Sequence, residues 1–350
     1  MPAYVSRPAI ELPPHKVTTE EICADITARH PGHPRLGAWL RTVRNVGVTT
    51  RYFTQALESP YVSGRTSLEE RNRQAFADGV DLAAQAARHA LDATRLAPSD
   101  IDCIVTSHTV GWALPHLDIH LIERLGLRPD VRRLAFGSLG CIGGAHALAM
   151  AADQVAARPA SRVLVVVAEP LSTIYHHTDT STEAMIYKGL FGDSGGACIV
   201  TGEPLGPGLR IDDSWHYHLP HSRDRYWGRL DADGFHFDST RAALTAPADA
   251  MPALTTWLAS QPDHQEPGFI LAHAGGPAIL NTITGHLGFD REDLRHSWDS
   301  LAETGNLGGI SVLDVLRRTH DTPPADGDRG LMLAYGPGFT TSALTGTWTE

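Results

Sequence analysis

The feature that most constrains this chain is an internal duplication. The pentapeptide GCIGG is matched later by GNLGG, which places Cys141 and Asn306 165 positions apart. The same offset relates His108, in IVTSHT, to His273, in ILAHAG. In both halves a long helical pattern precedes an apolar strand, a glycine-rich helix start and a second apolar strand. A register kept at two separate places predicts two similar halves that face each other.

Five short apolar runs predict buried β-strands, because they are continuous rather than alternating and are bounded by Gly, Pro or charged residues. These runs are 101–108, 162–169, 196–202, 269–276 and 330–338. Helical patterns lie between them, at 73–96, 142–157, 277–287 and 310–319. The alternation of strands and helices predicts a layered α/β fold. The less regular, aromatic stretch 202–246 is expected to form a hairpin and loops over one face.

Composition excludes several classes of protein. The chain has 350 residues, 42% of them hydrophobic, and a formal net charge of −11. Such an acidic balance argues against nucleic-acid binding, and the apolar content argues against disorder. No apolar run approaches the roughly 18 residues of a membrane span. The start, MPAYVSRPAIELPPHK, lacks the continuous apolar stretch of a secretory signal, so we expect a cytoplasmic protein.

One of the four cysteines stands out as a candidate nucleophile. Cys141 follows SLG and begins a predicted helix, where free backbone N–H groups and the helix dipole favour a thiolate. Four cysteines in a chain of this length do not predict a disulfide framework. We expect the others to be small buried residues; they are Cys23, Cys103 and Cys198.

Two further residues complete a catalytic hypothesis. His273 ends an apolar strand and is followed by the tight turn AGGPA, while Asn306 occupies the position equivalent to Cys141 in the second half. Together the three supply a nucleophile, an acid/base or electrostatic partner, and a neutral hydrogen-bond donor for an oxyanion. A thiolate beside an imidazolium would be a pre-activated nucleophile.

The motifs LGCIGGAHAL, GLFGDSGGACIV, FILAHAGGPAIL, GNLGGISVL and YGPG, in this order, resemble those of type III polyketide synthases of the chalcone synthase superfamily. The start SRPAIELPPHKVTTEEI and the segment GFHFDS are similar to bacterial members such as tetrahydroxynaphthalene synthases. The resemblance covers nearly the whole chain. It implies a thiolase-like fold with two duplicated halves in an α-β-α-β-α arrangement, divided here into 1–203 with the Cys and 204–350 with the His and Asn.

The resemblance also implies roles for individual residues. Cys141 would accept the starter acyl group and hold the growing chain as a thioester. His273 and Asn306 would promote decarboxylation of malonyl-CoA and bind the enolate and thioester oxygens. The enzyme would extend this chain with malonyl-CoA units by decarboxylative Claisen condensation and cyclise it to an aromatic or pyrone product, without an acyl-carrier protein or a metal. The substrates would be acyl-CoA and malonyl-CoA. Family members are typically homodimers, so we expect the same here.

Gating residues follow from the same comparison of motifs. Phe191, in GLFGD, matches one of two aromatic side chains between the CoA tunnel and the reaction cavity. The second falls in GFHFDS, where the family's Phe-His pair aligns on Phe235 and His236; Phe237 is the alternative if the register differs by two. The wall beside pantetheine would comprise Gly275, Gly276 and Ala278.

Departures from the family pattern bear on the starter. Leu171 and Ile174 stand where plant members often carry threonine, and Gly308 stands where they carry serine. A more apolar cavity at these positions favours an aliphatic starter over a coumaroyl group, with malonyl left open.

A modest basic cluster could mark the CoA entrance in this acidic protein. It consists of Arg41, Arg44 and Arg51, and a solvated helix face explains it equally well. The 19 histidines form no complete ligand set at metal-binding spacing, so we expect no metal site.

Three other functions stay open at this point. A ketoacyl synthase III-like enzyme would perform a single condensation, and an acyltransferase of the same fold would transfer without condensing. An inactive thiolase-fold protein could serve as a partner subunit.

Overall fold

The computed structural model describes residues 2–261 and 266–350, and within these ranges it contains helices and strands in the alternating order that the sequence predicts. The strands are β1 (Ala3–Val5), β2 (Ala9–Glu11), β3 (His15–Thr18), β4 (Thr50–Phe53), β5 (Cys103–His108), β6 (Arg132–Gly137), β7 (Val163–Glu169), β8 (Ser194–Thr201), β9 (Gly208–His218), β10 (Tyr226–Asp231), β11 (Gly234–Ser239), β12 (Phe269–Ala272), β13 (Arg329–Gly336) and β14 (Thr340–Thr349). The helices are α1 (Thr19–Arg29), α2 (Leu36–Arg44), α3 (Pro60–Ser63), α4 (Leu68–Thr94), α5 (Leu117–Leu125), α6 (Gly143–Ala157), α7 (Thr182–Leu190), α8 (Ala246–Ala259), α9 (Pro277–Leu287), α10 (Arg295–Thr304) and α11 (Ser311–Thr319).

A mixed ten-stranded sheet connects the two halves. Its strand order is β12-β13-β14-β9-β1-β8-β7-β5-β6, and β2 pairs with β8. In the first half β5 runs parallel to β7, and β7 pairs antiparallel with β8. The second half repeats this order with β12, β13 and β14. Ala3 opposite Ile211 joins the halves through the antiparallel pair β1–β9.

Three apolar clusters separate the layers. The first lies between the two halves of the sheet and contains α6 and α11 together with one face of β5, β7 and β13. The second covers the opposite face of β5 and β7 with α4 and α5. The third covers the other face of β12 and β13 with α8, α9 and α10. This alternation of sheet and helix layers arises because each continuously apolar strand buries both of its faces.

Element boundaries differ from the sequence-based ones where local chemistry intervenes. Helix α4 begins five residues before the predicted Arg73, because Ser67 and Glu70 form a capping box at its start. Strand β12 ends at Ala272 rather than at 276, because the chain turns at the following glycines. The irregular stretch contains the hairpin β10–β11 as expected. The predicted domain boundary falls between β8 and β9 and stays a prediction.

Candidate active site

The two glycine-rich turns of the duplication pack directly against each other. A Cβ on Gly144 would lie 2.1 Å from the carbonyl oxygen of Gly309, so only hydrogen allows this approach. Cys141 belongs to the short turn before α6, and Asn306 precedes the equivalent turn before α11. The contact therefore places the Asn306 Nδ2 atom 3.8 Å from the Cys141 sulfur.

The orientation of the Asn306 amide is fixed by its neighbours. The backbone N–H of Gly308 donates to Oδ1 at 2.9 Å, and the His273 Nε2 atom lies 3.2 Å from the same oxygen. Because a backbone N–H can only donate, the facing atom must be the oxygen. The Cys141 sulfur lies 3.8 Å from Nδ2 and 3.9 Å from Oδ1, so it contacts both atoms of the amide, and His273 carries its proton on Nε2.

His273 is buried at the end of β12 and held on both sides. Its backbone N–H donates to the carbonyl of Leu333 at 2.8 Å, which continues the parallel pairing. The Nδ1 atom has no hydrogen-bond partner among the described residues and faces Gly275, where a Cβ would lie 2.7 Å from it. Gly275 is therefore required for this ring position.

Burial sets the charge state of the site. It raises the pKa of the Cys141 thiol to about 12, with the Glu169 carboxylate adding to the effect, and lowers the pKa of His273 to about 4. Both shifts favour neutral groups, and Asn306 contacts both side chains. Burial in this cavity therefore opposes the thiolate–imidazolium pair expected from the sequence, because a dry environment penalises both charges, and the pair stays a prediction.

A cavity of about 540 Å³ opens onto these three residues. Its walls come from both halves of the chain and are mainly apolar. Phe191, Gly275, Gly276 and Ala278 line it, as do the following residues: Thr42, Asn45, Val46, Ile186, Tyr187, Leu190, Tyr226, Ser239, Ala243, Leu244, Pro247, Pro277, Ile279, Tyr335, Gly336 and Phe339.

Of the two candidates for the second gating position, Phe237 is the one that packs against Phe191, and its gating role stays a prediction. Its ring centroid lies 5.4 Å from that of Phe191, and its side chain is buried. Phe235 lies on the same face of β11, two residues away, and packs edge-on against Phe237 at 5.2 Å. His236 points to the other face of the strand, where it contacts Asp179.

The three positions expected to shape the starter pocket do not line the cavity. Leu171 is buried and Ile174 half-buried, and both pack in the apolar cluster that contains Phe191. A Cβ at Gly308 would contact Glu169 at 3.1 Å and Leu171 at 3.3 Å rather than open space. The predicted direct effect of these residues on the cavity wall is therefore wrong, because they contact the protein interior.

Of the three arginines predicted to form a basic entrance, Arg41 is the one that is exposed and without an ion pair among the described residues. Arg51 is 0% exposed and donates to Thr19 and to the carbonyl of Gly189, so placing it at the surface was wrong. Arg44 forms a salt bridge with Glu20. Arg41 is exposed and lies one residue before Thr42, which lines the cavity. No ion pair holds Arg41 among the residues that the structure describes.

Sequence reasoning missed one buried acid beside the nucleophile. Glu169 ends β7 and accepts hydrogen bonds from the N–H and hydroxyl of Thr109. Burial raises its pKa to about 8. An acidic residue directly after the apolar run VLVVVA was the available signal.

The described residues hold neither a candidate metal site nor a candidate membrane-spanning helix. In 2–261 and 266–350, no cluster of three or more His, Cys, Asp or Glu side chains is arranged to hold a metal ion. Nor does any helix there have the length and apolarity to cross a membrane.

Comparisons with known proteins agree over almost the whole chain. Residues 44–204 match the family model for the N-terminal domain of chalcone and stilbene synthases, and residues 213–346 match that for the C-terminal domain. A 1,3,6,8-tetrahydroxynaphthalene synthase of Streptomyces coelicolor is 33% identical, with 99% of this chain and 92% of that protein covered. A phloroglucinol synthase of Pseudomonas fluorescens is 30% identical, with 98% of each chain covered.

Solved structures give the same result. The germicidin synthase of Streptomyces coelicolor, described as a type III polyketide synthase, superposes with a TM-score of 0.93 at 33% identity, covering 99% of this chain and all of that one. The tetrahydroxynaphthalene synthase of the same organism superposes with a TM-score of 0.94 at 32% identity, covering 99% of both chains.

Proposed function

Because the chain belongs to the chalcone and stilbene synthases and has the thiolase-like fold of type III polyketide synthases, we propose that Cys141 is its acylated nucleophile. The observation that carries the proposal is the 3.8 Å approach of the Asn306 amide to the Cys141 sulfur inside a cavity of about 540 Å³. Enzymes of this class transfer acyl groups from malonyl-CoA and release CoA and CO₂.

Loading exchanges one thioester for another. The Cys141 sulfur attacks the carbonyl of an acyl-CoA, the carbon–sulfur bond to CoA breaks, and the thiol proton leaves with the CoA thiol. Burial raises the pKa of this thiol, which favours deprotonation during the attack over a thiolate formed beforehand. The Asn306 N–H group then stabilises the negative charge that develops beside the sulfur.

Extension uses the two neutral donors of the site. When malonyl-CoA loses CO₂, the remaining electron pair forms an enolate, and its oxygen accepts from His273 Nε2–H and Asn306 Nδ2–H. His273 with a pKa of about 4 offers no positive charge to retain the malonyl carboxylate. A dry, neutral site therefore favours loss of CO₂. The enolate carbon then attacks the Cys141 thioester, the carbon–sulfur bond to Cys141 breaks, the Cys141 sulfur takes up a proton, and the lengthened chain is held on CoA.

We propose an aliphatic starter, with malonyl as the alternative. Support comes from the apolar cavity lining, which includes Ile186, Leu190, Leu244 and Ile279. The similar proteins are named as synthases of different products, so the number of extensions and the cyclisation are properties of the individual cavity. The proposed reaction uses CoA thioesters as substrates and needs no separate organic cofactor. Unchanged turnover in the presence of a metal chelator would support a reaction without metal.

We propose that Arg41 meets a CoA phosphate at the cavity mouth. Exposed charge pairs contribute roughly 0.2–1 kcal/mol, which predicts a rise of about two- to fivefold in the KM for malonyl-CoA in Arg41→Ala. Arg88→Ala, on the outer face of α4, is a matched control that should keep the KM of the wild-type enzyme. Equal KM values for the two variants would refute this role.

We also propose a cytoplasmic homodimer. A nucleophilic thiol must stay reduced, which suits a reducing compartment. The loop between β5 and α5 exposes Trp112 (71%) and Leu114 (78%), two large apolar side chains that a second copy would cover. Sedimentation of the wild-type protein as a dimer and of Leu114→Glu as a monomer would support this interface, and a monomeric wild-type protein would oppose it.

The central experiment incubates the purified enzyme with an acyl-CoA panel and labelled malonyl-CoA. Release of CO₂ with products longer than one extension supports the proposal. A single extension would instead indicate ketoacyl synthase III-like activity, and transfer without CO₂ would indicate an acyltransferase.

Intact-mass spectrometry should detect an acyl adduct that Cys141→Ala abolishes and Cys23→Ala retains. Absence of any adduct would indicate an inactive partner protein.

A further inference from the structure

The hairpin β10–β11 supplies part of the cavity wall and stands apart from the main sheet. Its strands form a two-stranded sheet of their own, in which Tyr226 pairs with Ser239, and both of these residues line the cavity. The same hairpin carries Phe237 against Phe191. A two-stranded hairpin is at best marginally stable by itself in water, so the position of this wall depends on what fastens the hairpin to the rest of the protein.

One fastening is a buried arginine at the turn of the hairpin. Arg71, near the start of α4, is only 3% exposed, and its guanidinium donates to three backbone carbonyls. Nη1 donates to Asp233 at 2.6 Å, Nε donates to Tyr61 at 3.3 Å, and Nη2 donates to Thr173. These acceptors belong to the hairpin turn, to α3 and to the segment after β7. The guanidinium therefore ties three separate segments to α4.

A histidine makes the second contact with the hairpin. His176 Nε2 donates to the carbonyl of Phe235 at 3.1 Å, and His176 Nδ1 accepts from Arg71 Nη1 at the same distance. Burial and the charge of Arg71 lower the pKa of His176 to about 3, so the imidazole stays neutral and can accept on Nδ1. The ring also stacks on that of His236, with centroids 4.4 Å apart. Arg71 and His176 together hold two backbone carbonyls at one end of β11.

The hairpin turn approaches the arginine as closely as a backbone can. Gly234 has a φ of +128°, and a Cβ there would lie 2.7 Å from Arg71 Nη1 and 2.7 Å from the His176 ring. Only glycine permits both this conformation and this approach. Burying a guanidinium against neutral carbonyls costs free energy that an apolar side chain would not. The contact therefore provides a fixed position for the turn rather than favourable packing.

We infer that Arg71 is a positioning residue that fixes the β10–β11 hairpin as a rigid wall of the cavity and so limits the length of the acyl chain that Cys141 accepts. The paired strands move together, because backbone hydrogen bonds join them. A hairpin released at its turn can move outward with Tyr226 and Ser239, and the cavity then admits a longer chain. This inference rests on the proposed loading of Cys141.

Butyryl-CoA and dodecanoyl-CoA test it, because their acyl groups differ only in length. Quenched intact-mass spectrometry would give the rate at which each ester acylates Cys141 in the purified full-length enzyme. The measured quantity is the ratio of the dodecanoyl rate to the butyryl rate. A smaller folded fraction lowers both rates equally, so a loss of stability alone leaves this ratio unchanged.

Two variants break the contact from opposite sides, each with its own control. Arg71→Met removes the donors at similar side-chain volume, and its control is Arg73→Met, because Arg73 is exposed and pairs with Glu69. Gly234→Ala forces the turn and the guanidinium apart. Its control is Gly206→Ala, because Gly206 has a φ of +141° with no atom within 4 Å of its would-be Cβ, so the backbone strain is similar and the contact is absent.

We expect the dodecanoyl-to-butyryl ratio to rise about tenfold in Arg71→Met and Gly234→Ala, the value of one hydrogen bond to a charged group, and to stay unchanged in both controls. An unchanged ratio in Arg71→Met or Gly234→Ala would overturn the inference and leave the proposed function intact, as would an equal rise in Gly206→Ala. If Arg71→Met does not fold, the comparison of Gly234→Ala with Gly206→Ala decides. No adduct with either ester in the wild-type enzyme would instead overturn the proposed function.

Discussion

Replacing Gly144 by alanine tests whether the contact between the two glycine turns organises the catalytic centre. The added Cβ would lie 2.1 Å from the Gly309 carbonyl oxygen and 3.1 Å from Val312. Reaching an ordinary contact of 3.4 Å requires a displacement of about 1.3 Å between α6 and α11. Neither neighbour can yield by rotating a flexible side chain, because the closest atom belongs to the backbone. We expect a loss of about 1–3 kcal/mol in the free energy of unfolding, as for other overpacked cores.

The same displacement has a catalytic consequence. Cys141 and Asn306 are carried by the two elements that must separate, and their 3.8 Å approach would lengthen by as much as 1.3 Å. A misplacement of about 1 Å costs on the order of 100-fold in rate, so we expect kcat for product formation to fall by about that factor.

A matched variant separates this effect from helix propensity. Gly285 lies in α9 with no atom within 4 Å of its would-be Cβ, so Gly285→Ala should stabilise the protein by up to about 1 kcal/mol and keep kcat. Urea unfolding and steady-state product formation would be measured for both variants. If Gly144→Ala matched Gly285→Ala in stability and kcat, the two turns would not be in the contact described, and the reasoning would be refuted.

Two further outcomes follow from the site. In Gly275→Ala the new Cβ would lie 2.5 Å from the His273 ring, so the ring must rotate. The rate of CO₂ release from malonyl-CoA should then fall about 100-fold, while acylation of Cys141 persists. Equal losses in both steps would contradict a role confined to His273. Burial raises the pKa of Glu169 from 4.5 to about 8, so the folded protein holds this proton more tightly than the unfolded chain, and stability should decrease as the pH rises through that window. Glu169→Gln should weaken this decrease in urea unfolding between pH 5 and pH 8, and an unchanged pH profile would show that the carboxyl is ionised without cost.

Much of the architecture could be predicted because its signals are local and occur twice. Continuously apolar runs identify strands buried on both faces, and repeated glycines identify helix starts that approach each other closely. Once the register of the duplication is known, Cys141 and Asn306 must occupy equivalent places. Their proximity then follows from the way two similar halves pack.

Other features depend on which face of an element meets which neighbour. Residues 235 and 237 share one face of β11, so the sequence alone left two candidates, and only the packing of the hairpin placed Phe237 against Phe191. The sequence predicts Arg51 in a basic surface cluster, but in the structure β4 directs its side chain toward Thr19 in the interior. A charged side chain gives no sequence signal of such burial.

The α/β class, the duplication and the family can therefore be predicted from the chain, because periodicity, glycine spacing and motif order are local features of it. The burial of the catalytic groups and the wall of the cavity follow from the folded arrangement instead. The physical reason is that desolvation and hydrogen-bond satisfaction depend on what surrounds a group in space. For Cys141, those surroundings come from both halves of the chain.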